Sequence, residues 1–137
     1  MPSRQVVRGL AAAQAVYWLA SGLWPLLHMR SFQAVTGPKV DGWLVRTVSA
    51  LIAVIGATIG LAWRRDRIAV ETALLGGASA AALATVDVVA VAVGRISPVY
   101  LLDAAIELPI AAGWLWAWRV SAFDEADDNG HRADLPV

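Results

Sequence analysis

Read from its N-terminus, the chain alternates long runs with few charges and short polar interruptions. Apolar runs lie at about 9–28, 43–63, 69–93 and 99–118, each close to the roughly 20 residues a helix needs to cross about 30 Å of hydrocarbon. The pattern predicts an all-α integral membrane protein, an antiparallel four-helix bundle running up-down-up-down. The interruptions are a longer loop at 29–42, a charged turn at 64–68 and a Gly/Pro turn at 94–98. Two regions follow: a transmembrane domain over 1–120 and a polar tail over 121–137. With Asp124, Glu125, Asp127 and Asp128, the tail is expected to be disordered and cytoplasmic. The first run follows Arg4 and Arg8 as a leader peptide would. Its length, its aromatics Tyr17, Trp18 and Trp24 and its lack of a small-x-small cleavage site predict a retained helix.

Each residue of a helix advances 100°, so spacing assigns faces. Gln14, Tyr17, Ser21 and His28 fall within about 60° and give the first helix a polar stripe. In the second, Arg46, Ser49, Ala53, Gly56, Ala57 and Gly60 share a face. Gly56 and Gly60 form a small-xxx-small pair suited to close helix approach, within the chain or with a second copy or another membrane protein. The third aligns Gly76, Ser79, Ala80, Leu83 and Asp87, and the fourth Asp103, Glu107, Ile110 and Trp114. Lipid would reject one face of every helix, and a bundle in which those faces converge satisfies all four. Pro109 is expected to kink the fourth helix rather than break it. The loop from Ser31 to Trp43, with its Gly37-Pro38 turn signal, is expected to lie flat on the membrane, the alternative being that it folds over the bundle mouth.

Composition narrows the function. Of the 137 residues 58% are hydrophobic, beyond the share of a soluble domain. With no cysteine, disulfides, thiolate metal sites and cysteine nucleophiles are excluded. The eleven basic residues are balanced by eleven acidic ones and form no dense patch, so nucleic acid is not an expected partner. The expected partner is the lipid bilayer, and no cofactor is predicted. Placing the N-terminus inside puts Arg4, Arg8, Arg64, Arg65, Arg67, Arg119 and Arg132 on the cytoplasmic side and Arg30, Lys39, Arg46 and Arg95 on the outer side. Both termini are therefore expected in the cytoplasm. Trp24 and Trp43 then lie at the outer interface, and Trp63, Trp116 and Trp118 at the inner one. The Arg64-Arg65-Asp66-Arg67 turn is suited to anionic headgroups, and Glu71 is expected to pair with one of its arginines.

The candidate chemistry lies in the outer half. At about 1.5 Å per residue, Arg46 is roughly 5 Å deep, Asp103 roughly 6 Å, Asp87 roughly 9 Å and Glu107 roughly 12 Å, with His28 near the end of its helix. Ionisable groups at such depth face partners or a cavity. Three carboxylates against one arginine leave a deficit of positive charge, to be met by protons, imidazolium at His28, Arg95 or a bound cation. Asp87, Asp103, Glu107, Arg46 and His28 are therefore the candidate ligand- or ion-binding residues. They form either a clasp closed by Arg46 or a site for a proton, cation or small polar ligand. The rival is a membrane enzyme or transporter subunit using Asp103 and Glu107 directly. No reaction motif accompanies these residues and no catalytic residue is assigned, which weighs against an enzyme. Metal-ligand spacing gives no diagnostic pattern.

The four short helices, with Gly22-Leu-Trp-Pro25 closing the first and Arg46 early in the second, resemble the small bacterial membrane proteins grouped as DoxX-like. That resemblance in layout implies a bacterial inner-membrane location and, in some members, association with redox partners. It carries no functional residues across.

Overall fold

The computed structural model describes residues 2–120, so the acidic tail expected to be disordered lies outside the described residues. Among these the regular structure is entirely helical: α1 Pro2–Leu27, α2 Met29–Thr36, α3 Gly42–Arg64, α4 Val70–Ala92 and α5 Tyr100–Arg119. Stretches over Arg4–Leu27, Gly42–Arg64 and Val70–Ala92 are long and apolar enough to cross a membrane. At 20 residues α5 also extends about 30 Å, but Asp103, Glu107 and three tryptophans dilute its hydropathy. It therefore does not stand with the other three on composition. Pro109 lies inside α5 without breaking it.

The long helices associate in two tight pairs, α1 with α3 and α4 with α5. Glycine sets the first pair. A Cβ on Gly22 would lie 2.7 Å from the Ser49 carbonyl oxygen and 2.8 Å from the Ala53 nitrogen, and one on Gly56 would lie 3.0 Å from the Trp18 Cβ. The two backbones touch there, antiparallel, because rising numbers on α1 meet falling numbers on α3. Gly56 and Gly60 thus pack within the chain, and the small-xxx-small pair is covered by α1. In the second pair Trp114 lies against Gly76 and Gly77. Between the pairs the backbones stand further apart, and Trp18, Trp114, Gln14 and Glu107 fill the space, each almost wholly buried.

The expected faces hold along α4 and α5, where Gly76, Ala80, Asp87, Glu107, Ile110 and Trp114 are buried. On α3 the buried face is Ser49, Ala53, Gly56 and Ile59, while Ala57 and Arg46 point outward.

Short turns carry the strained backbone. Asp66, with φ 54°, joins α3 to α4, and Gly94, with φ 70°, joins α4 to α5. Aspartate tolerates the left-handed region better than most residues, and here its carboxylate also holds Arg4 and Arg8, which belong to the start of α1. Asp66 is therefore the acid that engages the arginines at this end. The Glu71 expected in that role is exposed and makes no salt bridge among the described residues.

The segment expected to lie flat is partly helical and crosses the open end. His28 caps α2 by accepting from the Ser31 N–H at 3.2 Å. The Trp24 indole donates to Ser31 Oγ at 2.8 Å and meets Phe32 edge-on. The chain then passes Ser97 at Gly37 and sets the Lys39 ammonium 4.7 Å from the Tyr100 ring centroid. It runs from the end of α1 to the start of α5, touching both.

Candidate functional site

Every side-chain hydrogen bond between the two helix pairs starts or ends on α1. Three rungs can be followed along it. Nearest the Arg8 end, Gln14 donates from Nε2 to the Gly76 carbonyl at 3.0 Å and accepts at Oε1 from the Trp114 indole at 2.7 Å. One turn on, the Trp18 indole donates to Glu107 Oε1 at 2.7 Å. The Tyr17 hydroxyl donates to Asp103 Oδ1. These contacts follow from helical spacing: Gln14 and Trp18 are four apart on α1, and Asp103 and Glu107 four apart on α5. Antiparallel packing of α1 against α5 sets Gln14 at the level of Trp114 and Trp18 at that of Glu107, and the longer reach of Tyr17 meets Asp103.

Asp87 completes the cluster from α4, within hydrogen-bonding reach of Asp103 should one of the pair carry a proton. Glu107 is 1% exposed and Asp87 7%, while Asp103 is half-buried. Glu107 Oε2 and Asp87 Oδ2 are buried with no hydrogen-bond partner. The donors that reach the cluster, a phenol and an indole, are both neutral.

Two of the sequence candidates lie elsewhere. Arg46 is exposed and makes no salt bridge among the described residues. It sits one turn before Ser49, which meets Gly22 near the end of α1, so its long side chain leaves the packed interior for the surface. A clasp closed by Arg46 is therefore excluded. His28 is exposed and serves as the cap of α2. Of the polar stripe on α1, Gln14 and Tyr17 join the ladder, and Ser21 is half-buried without a side-chain hydrogen bond among the described residues. Arg95 is exposed at the α4–α5 turn.

The sequence reading missed Trp18 as a ligand of Glu107 and Trp114 as a ligand of Gln14. The signal was present, since Trp18 continues the Gln14 stripe by one turn. An indole in an apolar run reads first as a membrane anchor, however.

Chemically, the arrangement has three carboxyl groups, no salt-bridged cation among the described residues and two oxygens with spare acceptor capacity. Among the described residues no group of three His, Cys, Asp or Glu is placed to hold a metal ion. What the site can do unaided is bind and release protons. The chain matches no family model, no curated protein and no solved structure.

Proposed function

We propose that this chain is a bacterial inner-membrane protein of four antiparallel membrane crossings, α1, α3, α4 and α5, whose buried carboxyl cluster binds protons. The membrane reading is supported by an inverted distribution of polarity. Val16, Val54, Leu74 and Leu102 are between 62% and 70% exposed, while Gln14, Glu107 and Asp87 are buried. Water would penalise that exterior heavily, whereas lipid favours it. Hydroxyls on the outer surface are satisfied within their own helices, Thr58 by Val54 O and Thr85 by Ala81 O, as a lipid-facing hydroxyl requires. Placing the Arg4/Arg8/Arg65 end in the cytoplasm obeys the positive-inside rule and sets the cluster in the outer half. The DoxX-like layout is compatible with this reading.

The observation that carries the proton-binding assignment is a pair of buried oxygens without a donor among the described residues, Asp87 Oδ2 and Glu107 Oε2, in a cluster that receives hydrogen bonds from the neutral Tyr17 and Trp18. An ionised carboxylate buried without a counter-charge costs several kcal/mol. A proton removes the charge and supplies a donor to a neighbouring oxygen at once. Ionisable groups inside a membrane domain are functional candidates by default, and here no cation converts them into a structural ion pair.

Infrared spectroscopy of the protein in lipid nanodiscs tests the assignment. At neutral pH the carbonyl stretch of protonated carboxylic acid should be present, should fade as pH is raised, and should weaken in Asp87→Asn, Asp103→Asn and Glu107→Gln. A spectrum without that band, or one indifferent to all three variants, would sink it.

A further inference from the structure

Building on the proton-binding reading, we infer that the carboxyl cluster exchanges protons with one side of the protein only, the side carrying α2, and that the other half of the molecule is a permanent seal. The cluster is therefore a one-sided proton-binding site and not part of a conduit. The inference comes from the order in which proton-relaying and non-relaying groups are stacked along α1.

On the α2 side the groups can pass protons. Tyr17 has a hydroxyl, which both donates and accepts, and Asp103 and Asp87 are carboxyls in reach of one another. Asp103 is half-buried, the least enclosed of the three acids. Beyond Glu107 the character changes. Its ladder partner is the Trp18 indole, which donates and cannot accept, so it cannot relay a proton. The next rung is Gln14, whose amide is committed at both ends, to Gly76 O and to Trp114 Nε1, and Trp114 is a second indole. Between Gln14 and the end carrying Arg8 and Asp66, about 9 Å along α1, the buried residues are Val7, Ala11, Ala73 and Ala117, all 5% exposed or less. They join Ile59, Trp18 and Trp114 in one apolar cluster. A proton arriving from the α2 side meets Tyr17, Asp103 and Asp87; Glu107 behind them is bonded only to an indole among the described residues, and beyond it lie a second indole, a locked amide and an apolar layer.

The titratable groups around the cluster come from three helices. α1 supplies Tyr17, α4 Asp87, and α5 Asp103 and Glu107, with Tyr100 one turn away at the mouth. Lys39, on the segment after α2, is held by the Tyr100 ring and the Thr36 carbonyl and makes no salt bridge to the cluster among the described residues. α3 supplies no charged group to the cluster among the described residues, its Arg46 being exposed. None offers a route past Trp18.

The test uses the whole chain in liposomes of zwitterionic lipid with a pH dye trapped inside and valinomycin to clamp the potential. Orientation is measured on Arg30→Cys, exposed on α2, with a membrane-impermeant maleimide. After a step in external pH, proton flux should not exceed that of protein-free liposomes. The fraction of the carboxylic-acid infrared band that follows the step at once should equal the fraction of Arg30→Cys accessible from outside. Flux above the control, or prompt response of the entire band in a preparation of mixed orientation, would overturn one-sided access. A detergent titration, in which both ends meet solvent, separates the two levels: absence of any titrating band there removes the proton site itself, and one-sidedness with it.

Discussion

At the scale of single residues, the bond between Trp18 and Glu107 is the most informative contact in the molecule. Both side chains are 1% exposed, so neither can turn to solvent if its partner is removed. Trp18→Phe keeps an aromatic ring in the core but deletes the N–H, leaving Glu107 with no donor on either oxygen. Stranding a buried acceptor costs about 1–3 kcal/mol, and that loss should be read as a lower midpoint in mixed-micelle denaturation. Glu107→Gln should behave differently, because its amide oxygen can still accept from the indole and no charge remains to be buried. It is expected to accumulate and melt like the parent while losing its share of the protonated-carboxyl band. A double-mutant cycle of Trp18→Phe with Glu107→Leu, each of which removes the hydrogen bond, should give a coupling of roughly 0.6 kcal/mol and no more than about 1.7, the range for hydrogen bonds inside membrane proteins. A coupling of zero would mean that the indole is only a space-filler.

At the scale of elements, the α1–α3 contact and the α2 cap make separate demands. Gly22 faces Ser49 and Ala53 backbone atoms at distances no Cβ tolerates, whereas a Cβ on Gly60 would meet only the Ala15 Cβ at 3.4 Å. Gly22→Val should therefore prevent the close approach and lower the yield of folded protein sharply, while Gly60→Ala is accommodated. Comparing monodisperse yield after detergent extraction decides it. His28→Ala removes the α2 cap at a cost of about 0.5–2 kcal/mol and should raise amide exchange over residues 29–36 without altering α3 to α5. These elements also mark how much was legible in advance. The inward faces of α4 and α5 were readable because a 100° step carries azimuth directly, and the carboxyl cluster emerged with them. Arg46 misled because its azimuth matches that of buried Ala53, yet near the N-terminal end of α3 that azimuth is exposed. Helix α2 was not legible: its eight residues mix Phe32 and Val35 with Arg30 and Gln33, and its stability comes from His28, Trp24 and the crossing to Ser97, which are contacts rather than patterns.

At the scale of the whole molecule, the ends differ in chemistry, and that difference is what the proposed orientation rests on. One end gathers Arg4, Arg8, Arg64, Arg65, Arg67 and Arg119, with Asp66 binding two of them. The other carries Arg30, Lys39, Arg46 and Arg95, with Lys39 held on Tyr100. The proposed orientation, with the arginine-rich end in the cytoplasm, has α2 and the cluster's accessible face outside. Because the chain has no cysteine, a single introduced thiol reports its side without background. In intact bacterial cells Arg30→Cys should react with an impermeant maleimide, and Arg65→Cys should react only after the membrane is permeabilised. Both positions are exposed, so a failure to react reflects the membrane and not burial in the fold. The reverse pattern would turn the molecule over and make the cluster a reader of cytoplasmic pH. Labelling of both positions in intact cells would mean mixed insertion, or a chain that does not cross the membrane four times.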